Sequence, residues 1–102
     1  MKLFVCLVDY LGDLKDIDSN LAAHREFLKK GYEAGFLLAS GPRNPRNGGL
    51  IIGRFKDLES VIEFSKQDPF TIKNLAKYNI IEFDPVLRSD LIDTFCRGNI
   101  KI

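Results

Sequence analysis

GFLLASGPRNPRNGGLIIGRF, residues 35–55, decides the fold. Gly35 is placed to end a preceding helix in the left-handed conformation that glycine adopts without steric cost. Phe36 to Ser40 then reads as a short apolar strand closed by Gly41-Pro42. Asn47-Gly48-Gly49 supplies residues that reach positive φ cheaply, and Leu50-Ile51-Ile52 begins a second strand that should end near Phe55 or Lys56. The stretch is therefore a long-looped hairpin. Whether it forms the middle of a split βαβ unit depends on a strand and a helix on each side of it.

Both flanks supply them. Upstream, Leu3 to Val8 is almost continuously apolar, with Phe4, Cys6 and Val8 on one face of an extended segment and Leu3, Val5 and Leu7 on the other. Asp9 to Asp18 is acidic, holds Gly12 and reads as a loop, and Asp18 or Ser19 can cap a helix bearing Leu21, Phe27, Leu28, Gly31 and Tyr32. Downstream, Asp57 can cap a helix carrying Leu58, Val61, Ile62 and Phe64. Gln67-Asp68-Pro69 breaks it, and proline after aspartate starts a further short helix over Pro69 to Ala76. Tyr78 to Phe83 is the last core strand. The order β-α-β-β-α-β predicts an α+β, ferredoxin-like domain with an antiparallel sheet.

One domain of 102 residues is expected, with a core to about residue 86. The remainder, about 87–102, is expected to form a C-terminal helix in which Leu87, Leu91, Ile92 and Phe95 share a face behind Ser89 and which ends at Gly98. The strands read as apolar runs on both faces, so one layer of helices cannot cover the sheet. A second copy packed sheet to sheet would cover it. The expectation is a homodimer, a dimeric α+β barrel, with Leu3, Val5, Leu7, Ile51 and Phe83 at the interface.

Composition narrows the partners. With 45% hydrophobic and 28% charged residues the chain lies far from the disordered regime. A net charge of +1 provides no basic excess for phosphate backbones, so no nucleic-acid partner is expected. No apolar run approaches a membrane span and the N-terminal stretch lacks a cleavage site, which predicts a soluble, cytoplasmic protein with no membrane partner. Cys6 and Cys96 are expected as free thiols, Cys6 protonated in the core. One histidine and no Cys-x-x-Cys spacing argue against a metal, and the absence of G-x-x-x-x-G-K-[ST] and G-x-G-x-x-G argues against nucleotide cofactors.

The chemistry-bearing residues are few. His24, about one turn into the first long helix, is the single imidazole able to exchange a proton near neutral pH, although a packed or solvated histidine is the plainer explanation. Asp68 is explained equally well as a helix cap. Both helices of a split βαβ unit lie on one sheet face, however, so the two side chains can meet, and an aspartate on one ring nitrogen would leave the other for a substrate proton. Ser40, at a strand end beside Gly41, can face a cleft. The stretch from Gly41 to Arg54 holds Arg43, Arg46 and Arg54 without an acidic residue and can receive an anion or simply be a solvated hairpin tip, with Arg43 and Arg46 the candidates for the site. Tyr10, Tyr32 and Phe36 can line an apolar pocket or belong to the core.

Taken together, the N-terminal apolar strand, His24, Gly35-Phe36-Leu37-Leu38-Ala39-Ser40-Gly41-Pro42, Gly48-Gly49 and Asp68-Pro69-Phe70 resemble the YCII-related (YciI-like) family of small proteins. The resemblance runs from the first strand to the fourth. It implies a ferredoxin-like fold dimerising through its sheets, in a superfamily that also holds muconolactone isomerase-like enzymes. It also implies an acid–base pair at His24 and Asp68 with Ser40 beside the pocket. The function expected is a cofactor-independent lyase or isomerase acting on a small cyclic or aromatic-derived organic acid, with Arg43 or Arg46 holding its carboxylate. The alternative is a non-catalytic dimeric module that binds a small ligand or a protein. An RNA-binding reading fails because leucine and isoleucine occupy the stacking positions of Gly49 to Phe55.

Overall fold

The structure, a computed structural model, describes residues 1–97. Four strands, β1 (Lys2–Tyr10), β2 (Leu37–Pro42), β3 (Gly48–Phe55) and β4 (Ala76–Phe83), form one antiparallel sheet in the order β2-β3-β1-β4. Between them lie α1 (Leu14–Ser19), α2 (Leu21–Glu33), α3 (Leu58–Lys66) and α4 (Pro69–Ile72), and α5 (Asp90–Arg97) follows the last strand. The expected split βαβ order is present. None of the helices among the described residues is long and apolar enough to cross a membrane.

Register assigns the faces. Cys6 pairs with Ile51 and Ile80, and Val8 pairs with Gly49 and Tyr78. Alternation therefore places Phe4, Cys6, Val8, Ile51, Phe55, Tyr78 and Ile80 on one face, where they join Ile17, Leu28, Val61 and Phe70 in the core. Ile51 belongs to this helix-covered face and is almost fully buried. The expectation that it lies on the opposite face is corrected. Leu50 and Ile52, which pair with Leu7 and Val5, lie there instead.

Several local readings also change. Asp9 to Asp18 is not all loop, because Asp13 accepts from the Asp16 N–H and caps α1, whose Ile17 is fully buried. Only Leu14 and Ile17 mark this helix, too few to show a period. Asp18 and Ser19 consequently lie inside α1, and α2 starts behind Asn20 without a side-chain cap. Gly35 does close the α2 region, at φ 82°. At Gly31 a Cβ would come within 2.9 Å of the Leu37 side chain, so glycine lets α2 approach β2 without displacing that side chain. The helix expected over Pro69 to Ala76 stops at Ile72, since Asn74 turns the chain at φ 55° and Ala76 already belongs to β4.

The other sheet face is covered only in part. Arg54, which pairs with Leu3, donates to the carbonyls of Gly35 and Phe95 and lies 5.1 Å from the Phe95 ring centroid. The N-terminal amino group donates to the Cys96 carbonyl. These contacts latch α5 to the sheet, Phe95 is fully buried, and Leu3, expected at an interface between copies, is instead buried within the single chain. On the edge strand β4 of the same face, Ile81 and Phe83, the latter paired with Leu3, are about half exposed. The expected helix end at Gly98 lies outside the described residues.

Candidate functional site

A cavity of about 470 Å³ opens between α2 and the helix-covered face of the sheet. Its α2 wall is built by Leu21, His24, Arg25 and Leu28, at the three- and four-residue spacing that aligns side chains along one helix stripe. Val8, Tyr10, Ile51 and Phe70 form an apolar floor, and Ser40, Pro42, Asp18 and Arg46 contribute around it. The volume suits a single substituted ring.

His24 is held from two directions. Its ring stacks on Phe70, with centroids 4.1 Å apart and planes 6° from parallel, and its Nδ1 lies 2.9 Å from Asp68 Oδ1. Asp68 is fully buried at the N-cap of α4, where the same oxygen accepts from the Phe70 N–H at 2.9 Å. Its Oδ2 accepts from the Tyr78 hydroxyl at 2.6 Å. Three donors thus converge on one carboxylate, which fixes Nδ1–H as the imidazole tautomer and leaves Nε2 as the ring's free proton acceptor. Burial above all, with the charge and hydrogen bond of Asp68, pushes the Tyr78 phenol well above its usual value. Tyr78 therefore serves as a donor and not as a phenolate.

Ser40 faces the cavity because it pairs with Ile51 on the helix-covered side, and its Oγ lies 2.8 Å from the Tyr32 hydroxyl. The two loop arginines part company. Arg46 reaches the cavity and binds Asp18, and its guanidinium holds the Asp18 carboxyl below the usual carboxylate range. Arg43 is not among the cavity's lining residues. It binds Asp9, whose other oxygen accepts from Asn79, and both of those residues face away from the helices. The structure therefore does not bring Arg43 to the site, because strand alternation puts its partner Asp9 on the other side of the sheet.

Sequence reasoning did not single out Tyr78, Asp18 or Arg25. Tyr78 has a signal in the sequence, since in the last strand it shares parity with Ile80, but using it requires the register with Cys6 and Val8. Burial pushes the Cys6 thiol up to about 12, so it is an inert core group. Among the described residues there is no cluster of three or more His, Cys, Asp or Glu side chains able to hold a metal ion.

The model of the YCII-related domain matches residues 2–84. One similar solved structure is the 5-chloro-2-hydroxyhydroquinone dehydrochlorinase of Burkholderia phenoliruptrix AC1100, in complex with 2,5-dihydroxybenzoquinone. It superposes with a TM-score of 0.70 at 22% identity, over 80% of this chain and 93% of that one. An antibiotic biosynthesis monooxygenase superposes with a TM-score of 0.56 at 17% identity, over 83% of this chain and 99% of that one. No curated protein matches in sequence. At these identities the two structures speak for the fold. The family match covers most of the chain, and the chain belongs to the YCII-related domain family.

Proposed function

We propose that this YCII-related protein is a small-molecule enzyme of the lyase or isomerase type, in which His24 and Asp68 are the acid–base pair. The observation that carries this reading is the 2.9 Å contact between His24 Nδ1 and a fully buried carboxylate, with the histidine also lining the cavity. The Nε2 lone pair takes a proton from a substrate O–H or C–H bond. Asp68 balances the imidazolium so formed, which needs no change of geometry because Nδ1–H already points at it. In a lyase, the released electron pair moves into the ring as a leaving group departs with its own pair. In an isomerase, the double bond shifts and the same proton returns to another carbon.

The substrate class is a small ring, cyclic or aromatic-derived, bearing hydroxyl or carboxylate groups. The cavity volume and its floor of Val8, Ile51 and Phe70 suit the ring. The dehydrochlorinase neighbour is a protein of the same fold that accommodates a dihydroxylated ring. Ser40 offers a hydroxyl to a polar substituent, and Arg46 holds an anionic one by exchanging the Asp18 carboxylate for the substrate's. No cofactor takes part in this scheme.

The working unit is a homodimer closed through the sheet face that carries Val5, Leu7, Ile52, Ile81 and Phe83, since these side chains leave apolar surface that one chain does not cover. Its free thiols suit the reducing cytoplasm.

A turnover screen over chlorinated and unchlorinated polyhydroxybenzenes, small cyclic acids and lactones tests the proposal. A hit that is lost in His24→Ala supports it. Ligand binding without turnover across the whole panel, or turnover untouched by His24→Ala, favours the non-catalytic binding module.

A further inference from the structure

We propose that Tyr78 is a positioning residue of this site, which holds Asp68 Oδ2 and through Asp68 sets the proton affinity of His24. The inference rests on the reading of His24 and Asp68 as a working pair and extends it by one member. Tyr78 stands on β4, beside Val8 on the helix-covered face, and its hydroxyl donates to Asp68 Oδ2 at 2.6 Å. Oδ1 is engaged by His24 and by the Phe70 N–H, so Tyr78 secures the oxygen that the helix cap leaves open. Without it, a buried carboxylate oxygen would have no donor, while Oδ1, still held by the Phe70 N–H, would carry more of the carboxylate's charge against the imidazole.

The electrostatic consequence has a definite sign. A phenol that donates to Asp68 draws negative charge toward Oδ2 and away from the imidazole. Removing that donor strengthens the attraction of Asp68 for a protonated His24, so the His24 midpoint rises. The other groups facing this region are Asp18 from α1, Arg25 on α2, Tyr10 and Cys6 from β1, and Arg46 from the hairpin loop. Lys73, after α4, is tied to Asn20 at the start of α2. None of these is altered by Tyr78→Phe, which removes one oxygen and keeps the ring.

His24 is the single histidine in the chain, so its ring signals in a proton–carbon NMR spectrum belong to one residue and can be followed against pH in the full chain without any substrate. Tyr78→Phe should raise the midpoint by about half a pH unit, and Asp68→Asn should lower it. An unchanged or lowered midpoint in Tyr78→Phe beside a lowered one in Asp68→Asn overturns the role of Tyr78 and leaves the pair intact. No movement in either variant overturns the pair itself. Should Tyr78→Phe not fold, the unsubstituted chain answers the same question. Its Tyr78 hydroxyl proton, followed at low temperature, should move as His24 titrates, and a resonance indifferent to that titration overturns the proposal.

Discussion

Asp68 and Arg54 are both buried charges, one on each side of the same sheet, and they serve different ends. Asp68 collects His24, Tyr78 and the Phe70 N–H on the helix-covered face, and two of those partners, the titratable His24 and Phe70, also border a cavity. Arg54 collects the carbonyls of Gly35 and Phe95 and the Phe95 ring on the opposite face, and none of these borders that cavity. Each satisfies the requirement that a buried charge be hydrogen-bonded. Burial of a charge alone therefore does not mark chemistry. A route from the charge, through a titratable group, to a space large enough for a ligand does.

The largest expected effect lies on the Arg54 side. Phe95→Ala should cost about 3 to 5 kcal/mol in denaturant unfolding, because it removes a fully buried ring and the platform under a guanidinium. The His24 NMR signal should stay in place. A large shift of that signal would show that the two faces are coupled and would break the contrast.

A smaller effect is expected at the uncovered part of the same face. The protein should sediment as a dimer at micromolar concentration, and Ile81→Lys should weaken that dimer by about 100-fold or more while unfolding stays cooperative, since a charge placed in an apolar sheet interface has no partner. A monomeric unsubstituted chain would remove the barrel and leave the apolar face without a function.

The smallest difference sharpens the contrast within one loop. Arg46→Gln should raise KM for an acidic substrate about tenfold, the scale of one charge-assisted hydrogen bond. Arg43→Gln should leave KM unchanged within about twofold, because its partly exposed pair with Asp9 lies outside the cavity. Equal effects from both substitutions would mean that the loop closes over the ligand in a different arrangement.

How much of this could be read from the sequence depends on which residues announce themselves locally. The meeting of His24 and Asp68 was legible because each stands near the start of a helix, and helices of a split βαβ unit share a face. The hairpin was legible from Gly41-Pro42 and Asn47-Gly48-Gly49, and the short helix start from Asp68-Pro69. Tyr78 was not, since its partner is reached only through the register of β4 on β1. For the same reason the face that Ile51 occupies is not legible locally, because one residue of register exchanges the faces of a strand. Arg43 and Arg46 lie three residues apart in one loop, and nothing local says that Asp9 takes one and Asp18 the other.

The central claim is that His24 and Asp68 act as one unit, and the most direct measurement is a double-mutant cycle on turnover of a substrate found in the screen. His24→Ala and Asp68→Asn should each lower kcat by about 100-fold or more, and the double variant should be no slower than the worse single one by more than about threefold. Asp68→Asn keeps an oxygen for the Phe70 N–H, so the helix cap survives and folding is not the cause of the loss. Losses that multiply in the double variant, or full turnover in both single variants, would contradict the account.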